Sequence, residues 1–451
     1  MTASSSYSEH DPSKSDPSSY SPSLKDEPIT DLEQNNTSIA LENDTDISSS
    51  LDPPPPDGGL LAWTQALMAH LVMLNVWGTI NSFGIFQTFY RSYLTKSPSD
   101  ISWIGSMQVF FLFVVGVFAG RLTDAGYFRS VFALGSTLVV FGTLMASCST
   151  TYRQLFLSQG LCVGLGMGGL FTPIMAVLST YFKHRRNLAI GIAISGSATG
   201  GMMYPGMARQ LLPQIGFAWT MRAMALVQLV SLLVANIFMK ARLRPRRSGP
   251  LVEYSAFQEK PYLLFTIGMF FNFWGVYFAF YYIGPFSRDL LGFSYERSID
   301  ILMIMNGVGA IGRVAPGFLA DKYLGALNVV TPAACICTIL LFSMNAIQNA
   351  SGLYVWAVLY GIFGATVQGL FPAALSSLTT DLSKAGTRSG MVYSIISFAN
   401  LTGPPLAGAL IKVAGGSYTY AFVFGGICLS LGTAFLVACR IAKGGYGLAK
   451  V

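Results

Sequence analysis

The sequence predicts an all-helical integral membrane protein in which twelve transmembrane helices form two pseudo-symmetric six-helix bundles. Three observations lead to this prediction. Of the 451 residues, 52% are apolar and only 11% are charged, whereas soluble domains carry about 25% charged residues. The chain also contains twelve apolar runs of spanning length. Finally, one short motif recurs at corresponding positions in the two halves.

The N-terminal segment differs from the rest of the chain. Residues 1–57 carry twelve of the 21 acidic and two of the 28 basic residues, and they are rich in Ser and Pro. Such a segment cannot bury enough apolar surface to offset its ordering entropy, so we expect a disordered cytoplasmic tail. It lacks the basic start and apolar core of a signal peptide, so the first apolar run is expected to direct membrane targeting.

The apolar runs define the predicted domains. A helix needs about 20 mostly apolar residues to cross a bilayer. The first bundle is assigned to 58–240, the cytoplasmic linker to 241–261, the second bundle to 262–440 and a tail to 441–451. The predicted spans are 62–90, 101–120, 130–149, 154–182, 188–211, 219–239, 262–284, 299–320, 327–347, 353–379, 389–412 and 419–439.

Basic residues indicate the orientation, because Lys and Arg are retained on the cytoplasmic side. With the N-terminus inside, the inside segments carry 17 basic residues and the outside segments carry seven. Both termini are therefore predicted to be cytoplasmic, and the plasma membrane is the predicted location. The net charge of +7 is explained by this topology, without a nucleic-acid partner. We expect a monomer in the lipid bilayer.

The chain contains few of the motifs and residues that catalytic sites use. Its six cysteines lie in apolar runs, with spacings that match neither a disulfide framework nor a zinc site. It has no P-loop and no HExxH pattern, and it contains only three histidines. Neither a metal ligand set nor a nucleophile–base pair is visible, so we predict no enzyme activity and no cofactor.

The recurring motif is G-x-L-x-D. It runs from Gly120 to Asp124 after the second span and from Gly317 to Asp321 after the eighth, 197 positions later. The two halves themselves begin at nearly the same separation, which indicates a repeated six-helix unit.

With these residues the chain resembles the major facilitator superfamily, in which G-x-L-x-D lies at the inside turn between helices 2 and 3. Two further segments resemble the monocarboxylate-porter-like branch of fungi: DGG at 57–59 followed by Trp63, and residues 181–193, which read YFKHRRNLAIGIA. The resemblance covers 57–440. It implies secondary transport of small organic molecules, often carboxylates, by alternating access.

The resemblance also implies site residues. In that branch a lysine in the first span and an Asp-x-x-x-Arg pattern in the eighth carry substrate and proton. Arg313 matches the arginine, but Asn81 stands at the lysine position and Gly309 at the acidic position. These departures argue against proton-coupled transport of a lactate-type substrate.

Arg313 is the leading candidate for substrate binding. A charged side chain in hydrocarbon costs at least about 2.5–3.5 kcal/mol, so it needs a protein or water environment. We interpret its guanidinium as a forked ligand for a substrate anion in a central cavity. The alternative is a gating role, paired with backbone carbonyls or with an acid such as Asp321. Asn306 lies seven residues earlier on the same helical face, as a second polar contact.

Two more spans contribute candidates. His70, Trp77 and Asn81 share one face of the first span, and His70 is a candidate proton site. The alternative for His70 is a neutral ring hydrogen-bonded to a neighbouring helix. Tyr277 and Tyr281, in the aromatic seventh span, are predicted to line the wall of a site for a flat substrate. The alternative is packing against lipid or other helices.

The motif turns are predicted to exchange partners between inside-open and outside-open states. Arg185 is the candidate partner of Asp124, and the alternative is a static turn cap. Asn349 begins the only glycosylation sequon in a predicted exterior loop, although that loop is short.

Together these features predict a secondary active transporter of a small organic molecule, an organic acid or a secondary metabolite, with efflux as the favoured direction. One alternative is a proton-coupled importer of a simple monocarboxylate or a vitamin-like molecule. An alternative from another class is a transporter-like nutrient sensor that signals through its acidic tail.

Overall fold

The computed structural model describes residues 54–94, 96–183, 185–243, 252–379 and 385–447. Every regular element within these ranges is helical. The predicted N-terminal tail as far as residue 53, part of the linker and the last four residues lie outside the described residues, as does His184.

The helices are numbered in chain order. The first half contains α1 Gly59–Asn81, α2 Phe83–Tyr93, α3 Pro98–Leu122, α4 Phe128–Ser147, α5 Tyr152–Leu155, α6 Val163–Tyr181 and α7 Arg186–Phe238. The second half contains α8 Lys260–Leu291, α9 Tyr295–Leu319, α10 Ala326–Ser343, α11 Ala350–Ser377, α12 Ala385–Val413 and α13 Thr419–Gly444.

Ten helical stretches in the described ranges are long and apolar enough to cross a membrane. Two of them, Pro98–Ser147 and Leu188–Phe238, are 50 and 51 residues long, more than twice the length that one crossing needs. Each contains a glycine with positive φ, Gly126 at 94° and Gly216 at 73°. Glycine adopts this conformation without steric cost, so the chain changes direction at these two positions. The sequence predicted loops there, and the structure stays helical up to and beyond each glycine.

The first predicted span is also divided. Residues 62–90 were expected to form one helix, but α1 ends at Asn81 and α2 begins at Phe83. Ser82 joins them, and its hydroxyl donates to the Gly78 carbonyl at 2.6 Å. Such a bond back to the preceding turn commonly bends a membrane helix, which accounts for the break.

The backbone repeats where the motif repeats. Helices α3 and α9 each contain 25 residues and begin after a serine cap, Ser97 and Ser294. Each is followed by a five-residue π-helical turn, Thr123–Tyr127 and Ala320–Leu324. All of these boundaries are separated by the 197 positions that separate the motifs. The two motifs therefore occupy equivalent turns.

Small residues allow close packing of α1 on α7. A Cβ atom at Gly78 would lie 2.6 Å from the Cα of Gly200, and one at Gly200 would collide with the Leu74 carbonyl. In lipid, small residues at a helix interface let the two backbones approach each other. This packing fixes the cavity-facing side of α1 relative to α7.

Helices from the two halves pack directly on each other. Helix α3 packs on α12, α7 on α9 and α2 on α8. Large apolar side chains such as Leu134, Leu226 and Ile339 are exposed on the outer helix faces, as expected for a surface in contact with lipid. The polar side chains described below lie inside this shell.

Candidate functional site

A cavity lies between the two halves of the chain. Half of its lining residues come from α1, α3, α6 and α7, and the other half from α8, α9 and α11. They are Trp77, Phe113, Phe171, Ile194, Ser197, Phe273, Arg313, Gln368, Phe371 and Pro372.

Aromatic rings form much of the cavity wall and meet across the two halves. Trp77 of α1 stacks on Tyr277 of α8, with ring centroids 6.5 Å apart and planes inclined by 5°. Tyr393 of α12 packs against Phe113 at 5.4 Å and against Phe171 at 6.1 Å. Walls of this kind suit a ligand with a flat apolar body.

Arg313 is the charged member of the cavity lining. Its side chain is 4% exposed, and its Nη1 atom has no hydrogen-bond partner. Two glycines make room for it. A Cβ atom at Gly309 would lie 2.5 Å from Nη1, and one at Gly369 would lie 3.3 Å from Cγ. A buried guanidinium with an unused donor is well suited to bind an anion through a charge-assisted hydrogen bond.

Other polar atoms near the cavity are buried without a partner. They include Nε2 of Gln368, which lines the cavity beside Arg313, and the hydroxyl of Tyr277. An unpaired buried polar group costs about 1–3 kcal/mol. A ligand that supplies the missing partners removes that cost and gains affinity.

The sequence-predicted site residues do not all line this cavity. Asn81 is 3% exposed and lies one turn beyond Trp77, and both of its amide atoms lack partners. Asn306 donates Nδ2 to the Leu302 carbonyl at 3.0 Å and packs against α7. Tyr281 lines a separate cavity of about 260 Å³ between α2, α8 and α9.

His70 lies between α1 and α7, outside the lining of either cavity. Its Nδ1 atom is 2.9 Å from the Ile192 carbonyl and its Nε2 atom is 3.1 Å from the Thr199 hydroxyl. Both ring nitrogens are therefore used in joining the two helices. His70 therefore makes the contacts of a helix-bonded ring, and its role as a substrate or proton site stays a prediction.

The predicted gating motifs occupy the ends of α3 and α9. Gly120 lies close to α6, where an added Cβ atom would be 3.0 Å from Thr172 Cγ2. Gly317 is buried in α9. Asp124 and Asp321 lie in the two π-helical turns. The proposed exchange of partners at these turns stays a prediction.

The two segments that carried the finer resemblance meet at this end of the molecule. The Asp57 carboxylate accepts hydrogen bonds from the backbone nitrogens of Lys183 at 2.7 Å and Arg185 at 3.4 Å. The rings of Trp63 and Phe182 are 5.0 Å apart. The start of α1 is therefore attached to the turn between α6 and α7.

Polar contacts join the two halves at the opposite end, where α3 and α9 begin; we call this the cap end. The Tyr282 hydroxyl of α8 lies 2.9 Å from the Ser102 hydroxyl of α3 in the other half, and within its own half it donates to the Pro404 carbonyl at 2.8 Å. Arg209 of α7 forms an ion pair with Asp300 of α9 at 2.6 Å. These contacts hold the cap end closed in this conformation.

Asn349, the predicted glycosylation site, caps α11. Its side-chain oxygen accepts a hydrogen bond from the backbone nitrogen of Gly352 at 2.7 Å. Such caps contribute about 1 kcal/mol. Attachment of a glycan there stays a prediction.

Sequence reasoning missed most of the aromatic wall. Phe113, Phe171, Phe371 and Tyr393 lie in apolar runs whose composition does not reveal which face points inward. Gln368 did carry a signal, because it is a polar amide inside the tenth apolar run.

Comparisons with known proteins agree with this architecture. Residues 67–387 match the family model described as Major Facilitator Superfamily. An MFS-type transporter of Gibberella zeae is 50% identical over 402 residues, which cover 89% of this chain and 91% of the relative. The aspyridones efflux protein of Emericella nidulans is 35% identical over 366 residues, covering 80% and 74%.

A solved structure shares the fold. The crystal structure of a bacterial homolog of the human lysosomal transporter Spinster, in an inward-facing and occupied conformation, gives a TM-score of 0.61. The match covers 84% of this chain and 96% of that chain, with 15% sequence identity. At that identity the likeness concerns the fold alone.

Proposed function

The chain belongs to the Major Facilitator Superfamily, and we propose that it exports a small organic acid or secondary metabolite by alternating access. Membership makes it a multi-pass membrane transporter of a small molecule. The efflux direction is supported by the similar protein of Emericella nidulans that is named for aspyridones efflux.

One observation carries the site assignment. Arg313 is buried in a cavity lined by both halves, and its Nη1 donor has no partner. A site between two halves that rock against each other is accessible from each side in turn. We assign Arg313 as the anion contact, with Trp77, Tyr277 and Gln368 around the cargo and Asn81 one turn beyond.

The aromatic wall supports a cargo larger and flatter than a simple monocarboxylate. Stacking against Trp77, Phe113 and Phe371 would stabilise a bound cargo that contains a conjugated ring system. The alternative of a lactate-type importer is therefore the weaker one.

We also propose the finer architecture. Turns at Gly126 and Gly216 divide the two longest helical stretches and so support twelve spans, in bundles at 58–240 and 262–440 joined by the linker. Both termini would be cytoplasmic, in the plasma membrane. The contact between Asp57 and the turn after α6 joins the two segments that resemble the monocarboxylate-porter-like branch, and so supports that placement.

The test is Arg313→Gln in cells that carry the native gene, with Arg297→Gln as the matched control. Arg297 lies on the same helix but is stacked on Phe293, outside the cavity. Organic acids retained in cells and released to the medium would be compared by mass spectrometry. We expect Arg313→Gln to retain the cargo at normal protein levels, as a strain lacking the gene does, while Arg297→Gln exports it.

Two outcomes would contradict the proposal. Normal export by correctly localised Arg313→Gln would remove Arg313 from the site. Accumulation of lactate or pyruvate driven by outside acid would favour the importer instead.

A further inference from the structure

The charge of the cavity has no counter-ion in its own wall. Arg313 is the charged residue among the ten that line it, and none of the ten is acidic. At the preceding turn of α9, the residue nearest to Nη1 is Gly309, which has no side chain to pair with it.

Acidic residues of the surrounding helices lie far from Arg313. In α1, α3, α6, α7, α8, α9, α11 and α12 they occur only near the cap end: Asp100, Asp289, Glu296 and Asp300. Asp300 precedes Arg313 by 13 residues, about 20 Å along the helix, and it is paired with Arg209. Asp289 accepts from Tyr418, and Asp100 belongs to the cap of α3.

The acids that the structure describes at the other end are engaged elsewhere. Glu253 and Glu259 are both bound to Arg388, at the start of α12. Asp124 and Asp321 lie in the motif turns and also have partners. Asp321 follows Arg313 by eight residues, about 12 Å along the helix axis.

His70 does not line the cavity, and the other titratable groups that face it, besides Arg313, are phenols. His70 faces α7, where both of its ring nitrogens are bonded. The phenols of Tyr277 and Tyr393 face the cavity region, and an ordinary phenol remains protonated near pH 7.

From this arrangement we propose that the protein carries its cargo as a lone monoanion, with one net negative charge crossing per cycle and no accompanying proton. The inference rests on the proposed function. The occupied site is neutral because the cargo balances Arg313, and the empty site is positive. The electrical potential therefore acts on the return of the empty carrier.

This charge balance favours export. An inside-negative potential draws the positive empty site back inward, and each return completes the outward movement of one negative charge. Moving one charge through 100 mV is equivalent to about a 50-fold concentration ratio at equilibrium. The potential alone can then drive efflux, without a coupling ion.

The test uses purified full-length protein in liposomes loaded with naphthalene-1-sulfonate. This probe is a flat monoanion that stays ionised across the pH range used, so it cannot carry a proton. Potassium gradients with valinomycin set the potential, and buffers set the pH gradient separately. We expect inside-negative potential to accelerate loss of the probe, inside-positive potential to retain it, and a pH gradient without potential to do neither.

Matched variants at Gly309 test whether the unpaired charge of Arg313 causes the dependence of flux on potential. Gly309→Asp places a carboxylate beside Nη1, so the empty site becomes neutral; we expect about tenfold or greater loss of probe flux at neutral pH, partly restored by acid. Gly309→Asn displaces the guanidinium in the same way without adding charge, so we expect the flux that it retains to keep its dependence on potential, whereas the residual flux of Gly309→Asp should lose it.

The outcomes separate the two proposals. Probe flux that needs Arg313 but follows the pH gradient, or ignores the potential, overturns the inference and leaves the proposed function intact. Absence of probe flux in the wild type also overturns the inference. Probe flux unchanged by Arg313→Gln contradicts the site itself, and with it the proposed function.

Discussion

Arg388, at the start of α12, binds two carboxylates that precede α8. Its Nε and Nη2 atoms each donate to Glu253 at 3.0 Å, and its Nη1 and Nη2 atoms donate to Glu259 at 2.9 and 2.5 Å. The side chains of Arg388 and Glu253 are 4% and 9% exposed, whereas Glu259 is 44% exposed. The segment before α8 is therefore attached to α12 mainly through the buried pair.

We predict that Arg388→Met lowers the free energy of unfolding by about 3 kcal/mol. Removing one partner of a buried ion pair costs about 3–5 kcal/mol, because the other charge is left buried and unpaired. We take the lower end, since Glu253 retains some access to solvent. The exposed Glu259 adds little, because pairs at such positions contribute about 0–1 kcal/mol.

The assay is equilibrium unfolding of purified protein in mixed micelles. The double variant Arg388→Met with Glu253→Leu should be more stable than Arg388→Met alone, because it no longer contains the buried, unpaired carboxylate of Glu253. Arg297→Met, on an exposed part of α9, serves as control and should cost less than about 1 kcal/mol. Stability of Arg388→Met within about 0.5 kcal/mol of wild type, or strictly additive losses in the double variant, would refute this reasoning.

Three further predictions follow from single contacts. Tyr282→Phe removes the hydroxyl that lies 2.9 Å from the Ser102 hydroxyl of the other half, a contact worth about 0.5–1.5 kcal/mol. Thiol labelling of a cysteine placed at the cap end should therefore rise about two- to tenfold, and an unchanged rate would argue against a closing role. Gly200→Ala already places a Cβ atom against the Leu74 carbonyl, so it should reduce the yield of monodisperse protein far more than Gly206→Ala, where an added Cβ atom would lie 3.5 Å from Met303 Cε; equal yields would contradict the close packing. His70→Gln should leave the pH profile of probe transport unchanged, because the ring joins two helices; a shifted profile would place His70 on a proton path.

Much of the repeat was readable from the sequence. Residues 120–124 and 317–321 carry the same motif, and the helices that precede them begin and end at equivalent residues. The breaks at Gly126 and Gly216 were also expected, because both glycines lie between predicted spans. The sequence did not show that helical hydrogen bonding continues up to and beyond each glycine.

The site was readable only in part. Arg313 was identifiable because a charge within an apolar run needs a protein environment. Asn306 shares its helical face but lies two turns away, about 10 Å along the axis, and this distance places it against α7. Tyr393 and Phe371 were missed because a ring in an apolar run has the same local pattern whether it faces lipid or a cavity.

Helices α3 and α9 have equal lengths, which indicates that the number of residues in each helix is itself constrained. Each helical residue advances the chain by about 1.5 Å and rotates it by about 100°. One residue inserted within Pro98–Leu122 would swing the aspartate of the following turn by that angle, away from its present neighbours. Side chains along these helices can vary where they face lipid, but insertions and deletions cannot be absorbed. We therefore expect related chains to differ here in residue type while keeping the count between the serine cap and the aspartate.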